Sequence, residues 1–199
     1  MKIEPGMIAF VSGAGSGIGR GMALALAARG VKVAACDIRL VDAETTATLI
    51  AGEGGEALAI GLDVSDGEAV ARAAGRIESE LGPVSIVCNN AGVAMHGVPL
   101  HEIAPADWDW VMSVNIGGVV NGIRTFVPRM LASAKPAHIV NTASIGGFQV
   151  NPDFLTGAYS MTKFAVVALS EALQQELSES AIGVSVLAPA AVATGIHLS

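Results

Sequence analysis

Along the chain, short apolar runs alternate with longer stretches in which apolar residues recur every three or four positions. The runs carry almost no charge, as strands buried on both faces do, and the longer stretches have the period of the amphipathic helices that cover them. Strands are predicted at 7–12, 31–37, 57–62, 84–88, 138–142 and 184–187, and helices at 17–29, 41–52, 66–81, 105–131 and 155–179. Asp66 suits the N-cap of the third helix, with Glu68 in its first turn. Each helix is long enough for a right-handed crossover. The strict alternation therefore predicts an α/β fold: a doubly wound parallel sheet of the Rossmann type, a three-layer α/β/α sandwich and one domain over 1–199. An eight-unit barrel would need a longer chain. The pattern stops after 187, so a chain lacking the last strand and helix of such a sheet is expected.

Composition narrows the class of partner. At 52% hydrophobic and 15% charged, the chain is too apolar for disorder. Its formal net charge of -7, with the basic residues scattered, supplies no positive field for phosphate backbones or anionic lipid, so neither nucleic acid nor membrane is expected. The longest uncharged run, 180–199, is interrupted by Pro189 and does not read as a membrane span. Glu4 and Pro5 stand where the apolar core of an export signal would begin. Cys36 and Cys88 lie inside apolar runs as small hydrophobes, so a reducing compartment, the cytoplasm, is expected. No His/Cys/Asp/Glu group has metal-ligand spacing, and no metal is expected.

The first strand runs into Ser12-Gly13-Ala14-Gly15-Ser16-Gly17-Ile18-Gly19, which opens a helix. Glycine permits a tight turn there, and bare backbone lets a pyrophosphate approach the N–H groups at the helix start. A glycine turn that only packs a helix on its strand would share the pattern. Eighteen residues after Gly19, Asp37 closes the second strand, where a carboxylate can accept both hydroxyls of an adenosine ribose. An acid that merely starts a turn is the competing reading. As a ribose ligand, Asp37 repels a 2′-phosphate, and Ser16 and Ile38 supply no cation, which favours NAD; Arg39 keeps NADP open.

Tyr159 and Lys163 stand four residues apart, on one helix face and about 6 Å apart along its axis. A phenol of ordinary pKa near 10 needs about 4 kcal/mol of phenolate stabilisation to trade a proton near neutrality, and a neighbouring ammonium supplies it. A half-buried ring beside a snorkelling lysine would look the same. Ser144 follows the fifth strand, at the sheet edge where ligands collect, although it also suits a turn beside Gly146 and Gly147. The fourth strand ends in Asn89-Asn90-Ala91-Gly92, and Asn115 interrupts a helical stretch between Val114 and Ile116. An amide there needs a backbone partner or a water if buried; a solvent-facing Asn needs neither.

In this order and spacing the series resembles the short-chain dehydrogenase/reductases, over 7–194. The resemblance rests on the glycine loop, Asp37, Asp63-Val64, Asn89 to Gly92, Asn115, Ser144, Tyr159 with Lys163, and Pro189 with Val192 and Thr194. It implies an NAD-dependent oxidoreductase acting on a secondary alcohol or its ketone, assembled as a homo-dimer or homo-tetramer. By the same resemblance Gly13, Ser16, Gly17, Ile18 and Gly19 hold the pyrophosphate, and Asp63 and Val64 contact adenine. Asn89, Asn90, Ala91 and Gly92 line the cofactor cleft, and Pro189, Val192 and Thr194 embrace the nicotinamide. Tyr159 exchanges the proton, and Lys163 lowers its pKa and binds the nicotinamide ribose. Ser144 positions the substrate oxygen, and Asn115 holds a relay water. An NADP-linked 3-ketoacyl-type reductase and a non-catalytic nucleotide-binding protein of the same fold are the alternatives.

The chain departs from the family pattern in three places. Ala190 replaces a glycine, putting a methyl group near the nicotinamide. Fifteen positions separate Ser144 from Tyr159, so 146–154 is expected to bulge into the substrate cleft, and the chain ends where a substrate-covering segment would begin. Ala94, Met95, Ile145, Phe148 and Phe154 make the surroundings largely apolar, which suits a bulky hydrophobic or aromatic small-molecule substrate; His96 is expected at solvent or capping a loop.

Overall fold

A computed structural model of the chain describes residues 1–151, 154–190 and 192. In chain order the main elements are β1 (Ile8–Ser12), α1 (Gly17–Ala27), β2 (Lys32–Asp37), α2 (Leu40–Gly52), β3 (Ala57–Gly61), α3 (Gly67–Glu80), β4 (Ile86–Asn89), α4 (Pro105–Met112), α5 (Gly118–Ser133), β5 (Ala137–Thr142), α6 (Gly157–Glu176) and β6 (Ile182–Leu187). The strands form one parallel sheet in the order β3-β2-β1-β4-β5-β6. The chain winds outward from β1 in one direction and from β4 in the other. The carboxyl ends of these two neighbours therefore splay their loops apart and open a cleft.

Both sheet faces are covered, which is why β1 is buried at every position. On one side α3, α5 and α6 pack over Phe10, Val87 and Ile139 through Ile77, Phe126, Met130 and Leu173, with the Phe10 and Phe126 rings 4.7 Å apart. On the other, α1 and α2 cover Val11, Val33 and Ala35 with Ala23 and Ile50. Asp66 caps α3, accepting from the Glu68 and Ala69 N–H groups at 2.9 Å each. Among the described residues no helix is long and apolar enough to cross a membrane.

The sheet is the expected one, with strand ends shifted by a residue or two. The helix expected over 105–131 is not continuous. It divides into α4, a π-helical turn at Ser113–Gly117 and α5. Asn115 sits inside that turn, buried, with its amide bonded to Val93 and Thr162. A wider turn of this kind is how a helix accommodates a residue held by tertiary contacts.

Candidate active site

The glycine loop is built on close backbone approach. Gly13 (φ 64) and Gly17 (φ 49) adopt left-handed backbone that other residues resist. A Cβ on Gly19 would stand 2.0 Å from the Gly13 carbonyl oxygen, and one on Gly13 would stand 3.0 Å from the Ala91 Cα. The Ser12 hydroxyl accepts from the Asn90 and Ala91 N–H groups at 2.9 and 3.0 Å, joining this loop to the end of β4. α1 then begins without a side-chain cap from Ser16 and without an acid in its first turn, unlike the capped α3. Its first N–H groups face the cleft with the positive end of the helix dipole, which is the donor set a pyrophosphate needs. Arg20 donates to the Gly15 carbonyl and, at 3.0 Å, to the Thr46 hydroxyl, so it braces the loop from behind.

Asp37 ends β2 with one carboxylate oxygen accepting the Gly15 N–H at 2.9 Å and the other the Arg39 N–H at 3.1 Å. The Arg39 guanidinium turns to Asp42, 2.5 Å away. The cleft, about 770 Å³, gathers Gly13, Ser16, Gly17, Ile18, Gly19, Asp37, Asp63, Val64, Asn90, Ala91, Gly92, Ser144, Tyr159, Lys163, Pro189 and Val192 along its walls. Thr194 lies outside the described residues.

Of the residues named from the sequence, Asn89 and Asn115 do not line it, and neither do the exposed Ile145 and Phe148. Asn89, 4% exposed, points away from its neighbour Asn90, as alternate strand residues do, and bonds to Asn141. Asn115 stands behind the wall: its Oδ1 accepts the Val93 N–H at 2.8 Å, and its Nδ2 donates to the Val93 carbonyl and the Thr162 hydroxyl, both at 3.0 Å. With both amide protons used in this way, the side chain fixes the backbone at Val93.

Tyr159 and Lys163 share the inner face of α6, with Lys163 Nζ 5.6 Å from the centre of the Tyr159 ring. Lys163 is buried and donates to the Thr142 carbonyl at 2.9 Å; burial pulls its pKa down to about 8. The phenol does not behave as expected. Burial raises the Tyr159 pKa above its ordinary value, and a hydrogen bond with Ser144 only partly opposes this. The ammonium, itself desolvated and directed at Thr142, does not reverse it in the chain alone. Ser144 also accepts the Gly146 N–H at 3.1 Å, which turns its hydroxyl toward Tyr159.

Of the segment 146–154 expected to bulge into the cleft, residues 152–153 lie outside the described residues. Ile145–Gly147 forms one 3-10 turn pressed on α6, where a Cβ on Gly147 would lie 2.7 Å from the Lys163 carbonyl oxygen. Phe154 does reach the cleft wall, and the exposed His96 sits at its rim. The Ala190 side of the cleft is fixed by the Ile145 N–H donating to the Pro189 carbonyl at 3.0 Å. Sequence reasoning missed Trp110, Val114, Thr142 and Thr156 as wall residues. The first two carry only an i, i+4 apolar signal, which is indistinguishable from a core-facing stripe.

A family model described as short chain dehydrogenase matches residues 7–198. A C alpha-dehydrogenase of Sphingobium sp. is 40% identical over 197 residues, 98% of this chain and 64% of that protein. The crystal structure of a short chain dehydrogenase/reductase from Burkholderia phymatum in complex with NAD superposes with a TM-score of 0.95 at 39% identity, covering 98% of this chain and 69% of that one. A metagenomic short-chain oxidoreductase in complex with NADP matches with a TM-score of 0.88 at 31% identity, covering 96% and 85%. The chain thus spans less than two thirds of the length of that Sphingobium relative. With the glycine loop, the Tyr159–Lys163 pair and the strand order all in place, the chain belongs to the short-chain dehydrogenase/reductase family.

Proposed function

We propose that residues 1–199 act as one dinucleotide-binding and catalytic unit that transfers hydride between NAD(H) and a secondary alcohol or its ketone. The observation that carries this reading is the convergence of Tyr159, Ser144 and Lys163 on the cleft into which α1 opens uncapped. The nicotinamide, when bound, supplies or accepts the hydride. Tyr159 supplies or takes the proton at the substrate oxygen: with its pKa raised, it keeps that proton through the neutral range, the state needed to protonate a ketone. Ser144 bonds the phenol and orients the same oxygen. Lys163, charged below about pH 8, sits close enough to favour the phenolate once the proton has left. Asn115 is a positioning residue, fixing the backbone at Val93.

The preference for NAD follows from Asp37, which would face a 2′-phosphate with like charge, and from Asp42, which already pairs the nearby Arg39. Met95, Trp110, Val114 and Phe154 support a bulky hydrophobic or aromatic substrate. The exposed Trp110, Met112, Met161 and Phe164 on α4 and α6 support a homo-dimer or homo-tetramer. Cys36 and Cys88, buried and unpaired, with the Cys88 thiol pushed up to about 12, support a reducing compartment such as the cytoplasm.

The test is a panel of aromatic and aliphatic secondary alcohols incubated with NAD or NADP, read by absorbance of the reduced cofactor, beside titrations with NADH and NADPH. The expected result is reduction of NAD by at least one aromatic alcohol, tighter binding of NADH than NADPH, and loss of turnover but not of NADH binding in Tyr159→Phe. Tighter NADPH binding would overturn the role of Asp37, and a Tyr159→Phe variant of normal activity would overturn the reaction.

A further inference from the structure

Behind the cleft, three buried polar side chains cross a layer that is otherwise apolar. Asn89 Nδ2 donates to Asn141 Oδ1 at 2.9 Å, Asn141 Nδ2 donates to Ser170 Oγ at 2.9 Å, and Ser170 Oγ donates to the Val166 carbonyl at 2.7 Å. The three are 4%, 0% and 2% exposed, and none borders the cleft. Asn89 and Asn141 are direct partners in the β4–β5 register. α5 is shaped around them, since a Cβ on Gly122 would fall 2.1 Å from Asn89 Oδ1. A buried amide is costly unless bonded, so a chain of this kind is retained only where every member is satisfied.

Its far end is informative. Ser170 lies two turns beyond Lys163 and three beyond Tyr159, on the same inner face of α6. The apolar contacts that hold α6 to the sheet, through Val166 and Leu173, carry no direction. Hydrogen bonds do have direction and a narrow range of length. Asn141 also precedes Thr142, whose carbonyl receives the Lys163 ammonium. Two consecutive residues of β5 therefore grip α6 at two points seven residues apart.

We propose that the Asn89–Asn141–Ser170 chain sets the rotation and height of α6 over the sheet, making Asn141 and Ser170 positioning residues for Tyr159 and Lys163. For catalysis this rests on the hydride-transfer reading above; for the geometry of the phenol it does not.

Tyr159 is the only tyrosine in the sequence, so tyrosinate absorbance against pH reports on it alone and needs no turnover. In Ser170→Ala the tyrosinate midpoint is expected to shift from the wild-type value, and kcat to fall about tenfold with little change in KM for NAD, as for a slightly misplaced group. Ser170→Thr, which keeps the hydroxyl, is expected to restore both, and Asn141→Leu to repeat the Ser170→Ala result more strongly. Far-UV circular dichroism at each pH keeps unfolding apart from titration. An unmoved midpoint together with wild-type kcat in Ser170→Ala overturns the proposal, even if its melting temperature falls. A moved midpoint in a chain that transfers no hydride would leave the positioning intact and remove only the catalytic reading.

Discussion

The ammonium of Lys163 is bonded to the carbonyl oxygen of Thr142 at 2.9 Å, inside a site that leaves the lysine 3% exposed. The folded chain holds this proton less well than the unfolded one, because burial lowers the pKa from 10.5 to about 8. Below about pH 8 the buried charge therefore opposes folding, by about 3 kcal/mol relative to the neutral amine. That opposition fades as the pH rises from about 8 to 10.5. Lys163→Met is expected to melt several degrees higher than wild type at neutral pH, with the gap closing toward pH 10.5, while turnover is lost. Thermal melts across that range check it, and a less stable Lys163→Met at neutral pH would contradict the sign.

Gly15 leaves no room for a side chain beside Asp37. A Cβ there would sit 2.6 Å from both Asp37 Oδ2 and Asp42 Cβ, and would disturb the amide bond that orients the carboxylate. Gly15→Ala is expected to weaken NADH binding by about tenfold, or about 1.4 kcal/mol, while changing NADPH binding far less. Fluorescence titration of both cofactors measures this; equal losses for the two would detach Gly15 from discrimination.

Asn115→Leu removes three hydrogen bonds at once and orphans the Val93 N–H and carbonyl, while the Thr162 hydroxyl keeps its bond to the Tyr159 carbonyl. Buried groups left unpaired cost about 1–3 kcal/mol each before relaxation, so a loss of at least about 2 kcal/mol in denaturant stability is expected. Turnover is expected to fall with it, since Val93 follows directly on Gly92. A variant as stable as wild type would show that water satisfies this loop without Asn115.

Gly92 stands between two polar groups of the site. A Cβ on it would lie 3.2 Å from Asn115 Oδ1 and 3.3 Å from Lys163 Nζ, close enough that each must yield by a few tenths of an ångström. Gly92→Ala is expected to keep its melting temperature within a few degrees yet lose about tenfold in kcat, because the lysine moves. Steady-state kinetics beside a thermal melt separates these effects, and unchanged kcat would mean the amine has slack.

The fold was legible because strands and helices differ in period, and Asp66 could be named as a cap because its bonds stay within three residues. Asn115 could be singled out as an interruption of the helical stretch after Met112, but its partner could not: Val93 lies 22 positions earlier, and no local window contains that contact. The glycine loop, Asp37 and the Tyr159–Lys163 pair could be read because their spacing carries chemistry. Asn89 was misplaced for a reason the sequence did contain, since alternation along β4 puts it on the same side as the core residue Val87. The phenol's raised pKa could not be read at all, because it depends on how deeply the fold buries the ring, against which the Ser144 hydrogen bond works.

Each residue of an α-helix advances about 100° around the axis, so a turn that admits one extra residue leaves α4 and α5 out of phase with an unbroken helix by about that angle. Removing a single residue from 113–117 would restore the phase and swing Trp110 about a quarter circle off the cleft wall. Chain length at this point therefore works as a rotary setting, fixing which side of α4 is turned toward the cleft.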